Sequence, residues 1–207
     1  FLFPGQGSQY PSMGSELYVC EPEYAQWIDK GAAFLTPLIG RDIKPLILGH
    51  DLDPKKANAA LRETRFTQPA LFLTEYALAK LWSSRGINPD AYIGHSVGEL
   101  TAAALSGVMS FEDALRLIAA RGQLMQDCPS GSMLSVRATI EQLRPHLDET
   151  VDLAAMNAPK LQVVAGPDDA IAALEVRLAA ADLPHQKLHT SHAFHSKMMD
   201  PVVDGLL

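Results

Sequence analysis

The chain has 207 residues, 47% of them apolar and 20% charged, a net charge of −7 and only two cysteines, Cys20 and Cys128. That length holds one substantial domain, or one domain carrying a smaller one. The acidic balance, with no compensating basic run, argues against a nucleic-acid binder; the lack of a long apolar run or a charged-then-apolar leader argues against membrane spans and signal peptides. Two cysteines make no disulfide framework and point to a reducing, cytoplasmic setting. The chain opens at Phe1 inside an apolar run, lacks an initiator Met and stops at Leu207 within an apolar pattern, which reads as a fragment.

In chain order, Phe1 to Phe3 predicts a short strand ended by the glycine-rich loop Pro4-Gly5-Gln6-Gly7-Ser8. Residues 14–39 are helical in tone, with Pro22 and Pro37 as breaks. After the loop His50-Asp51-Leu52-Asp53, Pro54 to Glu63 predicts an Ala-rich helix. Thr67-Gln68-Pro69 opens a strong helix with proline in its first turn. Its apolar face carries Leu71, Thr74, Leu78, Leu81 and Trp82, and Arg85-Gly86 ends it. Ala91 to Ile93 predicts a short buried strand and Glu99 to Leu105 the start of a helix. Ser110 caps a further helix that runs toward Arg121, with Asp113 three residues on.

The rhythm changes after Pro129-Ser130-Gly131. Strands are expected at 132–136, 151–156, 161–165 and 185–189, and helices at 139–147 and 168–181. Ile171, Leu174 and Leu178 share one side of the second helix. The order β-α-β-β-α-β is that of a ferredoxin-like unit, inserted into a larger α/β body that resumes near Ser191. The expected fold is therefore α/β: a hydrolase-like body with a mostly parallel sheet, residues 1–130 and 191–207, plus an inserted ferredoxin-like α+β subdomain, residues 131–190.

Gly94-His95-Ser96-Val97-Gly98 carries the chemistry. It fits the nucleophile elbow G-x-S-x-G, whose sharp strand-to-helix turn pushes a serine hydroxyl toward substrate. Its glycines leave room where Cβ atoms do not fit. A serine needs a base within hydrogen-bond reach. His95 precedes it on an extended strand and is expected to point the other way; His192 and His195, framing Ala193-Phe194, are the candidates, with loop-surface histidine as the plain alternative. The N–H of Val97 and an N–H from Pro4 to Gly7 suit an oxyanion.

Phe3-Pro4-Gly5-Gln6-Gly7-Ser8-Gln9, Thr67-Gln68-Pro69-Ala70-Leu71, Gly94-His95-Ser96-Val97-Gly98-Glu99, Arg121-Gly122 and His192-Ala193-Phe194-His195 occur in that order. Together they resemble the malonyl-CoA:acyl-carrier-protein transacylase family, in particular the acyltransferase domains of modular (type I) polyketide synthases. The resemblance spans the chain. It implies Ser96 as the acylated nucleophile, His195 as its general base, and the backbone N–H groups of Gln6 and Val97 as the oxyanion hole. It implies that Arg121, at the end of its helix, grips the extender carboxylate, a task suited to a guanidinium fork; a helix C-terminal cation is the alternative reading. Gln68 resembles the family's cleft-lining glutamine, with a helix-start polar residue as the alternative, and Asn157, in an Asn-Ala-Pro loop, is placed at the cleft. His192 and Phe194 belong to the substrate-side motif, whose His-Ala-Phe-His form goes with malonyl rather than methylmalonyl; Val97 after the nucleophile points the same way.

The implied reaction moves a malonyl extender unit from coenzyme A to the phosphopantetheine thiol of an acyl carrier protein, through an acyl-serine, in polyketide biosynthesis. No metal and no permanently bound cofactor is implied: malonyl-CoA is the donor, and the acceptor protein carries the phosphopantetheine. A flanking ketosynthase and linker are the expected neighbours, and the carbonyl that orients the base histidine in this family comes from a segment well past the His-Ala-Phe-His motif. Two rivals compete. An α/β-hydrolase-type (thio)esterase requires an acidic triad member, for which Asp127 and Asp152 are available, and gives Arg121 no task. A catalytically silent docking module binds carrier protein without acyl transfer.

Overall fold

The computed structural model describes residues 1–49 and 52–206; His50 and Asp51 of the expected loop, and Leu207, lie outside them. The chain divides into two compact units, Phe1–Leu124 and Met125–Leu207.

The first unit is mainly helical around one parallel strand pair. It contains β1 (Leu2–Phe3), α1 (Ser15–Cys20), α2 (Pro22–Ile39), α3 (Lys44–Leu48), α4 (Pro54–Ala60), α5 (Thr64–Ser84), β2 (Ile93–Gly94), α6 (Val97–Leu105) and most of α7 (Phe111–Gln126). β1 pairs with β2 in parallel, Leu2 opposite Ile93 and Phe3 opposite Gly94. Phe3 is buried, whereas Ile93 is 63% exposed, so the elbow strand is shorter and less buried than expected.

The prolines expected to break the 14–39 helical stretch behave differently from one another. Pro22 does divide α1 from α2, sitting at the first position of α2, where its missing N–H costs nothing. Pro37 breaks no helix: α2 runs on to Ile39 and ends at Gly40 in the left-handed region, φ 69°. Pro69 lies inside α5, because that helix begins three residues earlier than expected, with the N–H groups of Phe66 and Thr67 both donating to the Glu63 carbonyl. α5 is also more than amphipathic. Ala70, Phe72, Leu73, Tyr76 and Ala77 fill the core against α2 and α6. Part of the predicted apolar stripe, Leu71, Thr74 and Leu78 with Trp82, lines an open cavity of about 560 Å³ instead. The helix α3 had no sequence expectation, α4 ends at Ala60 rather than Glu63, and α7 continues past Arg121 to Gln126.

The second unit contains β3 (Ser132–Val136), α8 (Ile140–Leu143), β4 (Asp152–Ala158), β5 (Leu161–Gly166), α9 (Asp168–Ala180), β6 (His185–Lys187) and α10 (Asp200–Leu206). Its four strands form one antiparallel sheet in the order β4-β5-β3-β6. Ile171, Leu174 and Leu178 of α9, as the periodicity predicts, are fully buried against Leu134, Val136 and Val164. Thr139 opens α8 through a reciprocal capping box with Gln142, and the helix tightens into a 3-10 turn at Arg144–His146, short of the expected Leu147. β4 runs through Asn157 and Ala158 with two register irregularities, so Asn157 stands on a strand and not in a loop.

The unit boundaries differ from the expected ones. Residues 125–130 and 191–206 belong to the second unit and not to the first. Gly131 N donates to the Ser191 carbonyl (3.4 Å) and Lys197 N to Asp152 Oδ2 (2.8 Å), tying the segment to the residue before β3 and to β4.

Candidate active site

Ser96 sits at the junction of β2 and α6 as the residue that caps the helix, with φ 53° and ψ −114°. Such a backbone is sparsely populated by any residue with a side chain and is held only where neighbours over-determine it. Those neighbours are identifiable. His95 N donates to the Phe3 carbonyl (2.9 Å), continuing the β1–β2 ladder up to the serine. A Cβ at Gly94 would overlap the backbone of Gly98 and Glu99, and one at Gly98 would overlap the Phe3 carbonyl. The two glycines therefore let the first turn of α6 fold back over both strands. This is the strained elbow that the pentapeptide predicts.

The loop Pro4–Gly7 lies beside the elbow. A Cβ built on Gly5 would stand 2.8 Å from His95 Nδ1 and 3.5 Å from Ser96 Cβ. Val97, the first residue of α6, belongs to the first turn, whose N–H groups have no intrahelical acceptor.

Arg121 is in the interior of α7, five residues from its end at Gln126, and not at a helix terminus. The dipole explanation for a cation there loses force, because that field fades beyond the last turn. Gly122 lets α7 approach the start of α5: a Cβ on it would lie 3.1 Å from Arg65 Cα and 3.2 Å from the Thr64 carbonyl oxygen. That approach brings Arg121 Nη1 to 2.5 Å from Gln68 Oε1. Burial disfavours the guanidinium charge and lowers its pKa, and Glu99 opposes the shift. Gln68 is 1% exposed, and its Nε2 donates to Thr64 Oγ1 (2.9 Å); the Thr64 hydroxyl donates in turn to Gln6 Oε1 (2.9 Å). Gln6, Gln68 and Arg121, separate motifs in the sequence, thus share one hydrogen-bonded chain. Thr64, its central member, was missed because the predicted helix started at Thr67. The detectable signal was the i, i+4 spacing of Thr64 and Gln68 on one helix face.

In the second unit, His192 is buried and both ring nitrogens are engaged: Nε2 with the Cys128 carbonyl (3.1 Å) and Nδ1 with Ser191 Oγ (2.7 Å). A carbonyl only accepts, so Nε2 carries the proton and Nδ1 accepts from the serine hydroxyl. Phe194 is buried too, its ring 5.8 Å from that of His192. His195 is exposed and has φ 59°. Among the described residues only Ser12, Ser96, Asp182 and His195 are non-glycine residues with positive φ, and two of these four are the expected nucleophile and base. Ser196 fixes the following turn, donating to the Ala193 carbonyl (2.6 Å) and accepting from Met198 N (3.2 Å). Asp152, one of the two acids available to a hydrolase triad, is taken by Lys197, through its backbone N–H and its ammonium (3.3 Å). Asn157 is exposed on β4. Among the described residues no cluster of three His, Cys, Asp or Glu is placed to hold a metal, and no helix is long and apolar enough to cross a membrane.

A strained serine elbow over a parallel strand pair, with a partly buried arginine bonded to a buried glutamine in the same unit, defines an α/β protein built around a tight strand-to-helix turn. The chain belongs to the acyl transferase domain family, whose sequence pattern matches residues 1–207. It is 43% identical over 205 residues to the mycoketide-CoA synthase of Mycobacterium tuberculosis, covering 99% of this chain and 5% of that synthase. The acyltransferase domain from the second module of the salinomycin polyketide synthase superposes with a TM-score of 0.88 at 44% identity, over 100% of this chain and 48% of that one. The malonyl CoA-acyl carrier protein transacylase from Burkholderia pseudomallei superposes at 0.81 and 32% identity, over 100% of this chain and 69% of that one. The chain thus spans a small part of the synthase and about half of the solved polyketide synthase domain.

Proposed function

We propose that this chain is the acyl-transferring part of a polyketide synthase, moving a malonyl extender unit from coenzyme A to the phosphopantetheine thiol of an acyl carrier protein. The observation that carries this reading is the strained Ser96 elbow in the same unit as the hydrogen-bonded Arg121–Gln68 pair. Ser96 Oγ attacks the thioester carbonyl carbon while His195 takes its proton, and the carbonyl oxygen becomes an oxyanion. The backbone N–H groups of Val97 and Gln6 receive that charge. Collapse of the tetrahedral intermediate breaks the C–S bond; coenzyme A leaves with the proton from His195, and malonyl stays on Ser96 as an ester. The carrier thiol then attacks this ester, His195 takes the thiol proton and returns it to Ser96 Oγ as the acyl–oxygen bond breaks.

Arg121 holds the free carboxylate of the malonyl group. One of its five N–H donors is committed to Gln68, which leaves a fork edge for bidentate binding. With both ring nitrogens of His192 engaged, His195 is the histidine assigned as base, while His192 and Phe194 shape the acyl side of the site. The bulk of Phe194 favours malonyl over methylmalonyl, a one-methyl discrimination worth about 1–3 kcal/mol. Asn157 is assigned to the cleft on family resemblance alone. In the same reading the first unit is the hydrolase-like body and residues 131–190 of the second are a ferredoxin-like insert, supported by the β4-β5-β3-β6 strand order. The expected setting is cytoplasmic, with a ketosynthase and linker alongside, and no resident cofactor takes part.

The test is incubation with malonyl-CoA and methylmalonyl-CoA separately, followed by intact mass measurement beside Ser96→Ala. A malonyl adduct absent from Ser96→Ala is expected, with less or none from methylmalonyl-CoA. An adduct that persists in Ser96→Ala, or none on folded wild type, overturns the reading.

A further inference from the structure

The chain Arg121–Gln68–Thr64–Gln6 has a fixed direction. A guanidinium only donates, so Gln68 must turn its carbonyl oxygen to Arg121 and its amide nitrogen to Thr64. Thr64 Oγ1 then accepts from Gln68, and its single proton is available to Gln6 Oε1. Thr64 and Gln68 are 0% and 1% exposed, so neither has water as an alternative partner. Thr64 is β-branched and sits in the first turn of α5, where one rotation of its side chain is strongly constrained. Its backbone carbonyl also lies against Gly122, beside Arg121.

We infer that Thr64 is a positioning residue that couples the acyl-carboxylate site to the oxyanion loop: its hydroxyl holds the Gln6 side chain in place while anchoring the amide that orients Arg121. The inference rests on the acyl-transfer reading above. Its consequence is that the orientation of Arg121 and the placement of the Gln6 backbone N–H are not independent. Losing the hydroxyl disturbs both ends, at Arg121 through Gln68 and at the oxyanion through Gln6.

Thr64→Val keeps the branched shape and removes both bonds, whereas Thr64→Ser keeps the hydroxyl. Each is assayed for acyl transfer from malonyl-CoA and from acetyl-CoA, whose acyl group has no carboxylate. Thr64→Val is expected to lower kcat roughly tenfold to a hundredfold with both donors, and to raise KM for malonyl-CoA alone. Thr64→Ser is expected to keep most of the wild-type rate. Because Thr64→Val removes a hydrogen bond to a buried amide and lowers stability, Gln6→Met provides a second break, from the less buried end of the chain. It should reproduce the kcat loss, and the double variant should be no worse than the poorer single one. Wild-type kinetics in folded Thr64→Val, a loss that Thr64→Ser shares, or losses that multiply in the double variant overturn the role of Thr64. A wild type that accepts no malonyl group overturns the acyl-transfer reading and this role with it.

Discussion

Ser96 and His195 lie in different compact units, yet both hold backbones that residues with side chains seldom adopt, φ 53° and 59°. Each such conformation costs on the order of 1–3 kcal/mol and persists only where the surroundings enforce it. At Ser96 the enforcing contacts are the β1–β2 ladder and the two elbow glycines; at His195 they are the buried Ala193, Phe194 and Ser196 on either side. His192, by contrast with the exposed His195, has a buried ring with both nitrogens hydrogen-bonded. Arg121 is a specificity residue on the proposed reaction, and charge alone does not replace it. Arg121→Lys keeps the cation but loses the fork, and an ammonium reaching the same depth is more strongly hydrated. Its kcat/KM for malonyl-CoA should fall roughly tenfold or more, about 1.4 kcal/mol of transition-state stabilisation. Transfer from acetyl-CoA should change little, and equal losses with both donors would place Arg121 outside the carboxylate site.

At the scale of elements, α5 organises the first unit. It carries Thr64 and Gln68 at one end and buries Phe72, Leu73 and Tyr76 farther along. It also buries a carboxylate, Glu75, which accepts a hydrogen bond from Thr101 of α6 (2.7 Å). Burial raises the Glu75 pKa from 4.5 to about 7, and the Thr101 bond only partly opposes it. Between those two values the folded chain keeps a proton that the unfolded chain has released. Stability therefore falls as pH rises across that window, by at most about 3 kcal/mol once pH exceeds the folded value. Glu75→Gln retains an acceptor for Thr101 and has no charge to bury. Urea titrations should find it more stable than wild type at pH 8 and close to wild type at pH 4.5. A wild-type stability that does not fall between pH 5 and 8 would count against a protonated Glu75.

At the scale of the whole molecule, each unit has its own hydrophobic core: one built on α2, α5 and α7, the other on β3, β5 and α9. Separate cores allow separate opening reactions, since local unfolding follows the packing of each unit. Leu174 is fully buried in the second core. Leu174→Ala should cost about 2–5 kcal/mol, and hydrogen exchange should quicken in β3, β5 and α9 while the amides of α5 keep their protection. Equal acceleration in α5 would mean that the two units open as one.

Much of this chain was legible from one dimension because its signals are local. The elbow pentapeptide encodes a turn that glycines alone permit, the α9 periodicity names its three buried residues, and Thr139 with Gln142 spells a cap. The order of elements in the second unit follows from the same short-range patterns. Errors arose where packing overrides a local rule. Pro37 and Pro69 remain inside helices, Asn157 lies in β4 at a register irregularity between the pairs Met156–Gln162 and Ala158–Leu161, and α5 is covered on more than one face by α2 and α6. The chain alone determined the serine elbow and its motifs. Only the tertiary structure decided that Arg121, Gln68, Thr64 and Gln6 form one hydrogen-bonded line, because their contacts join residues more than fifty positions apart through buried groups that must find partners.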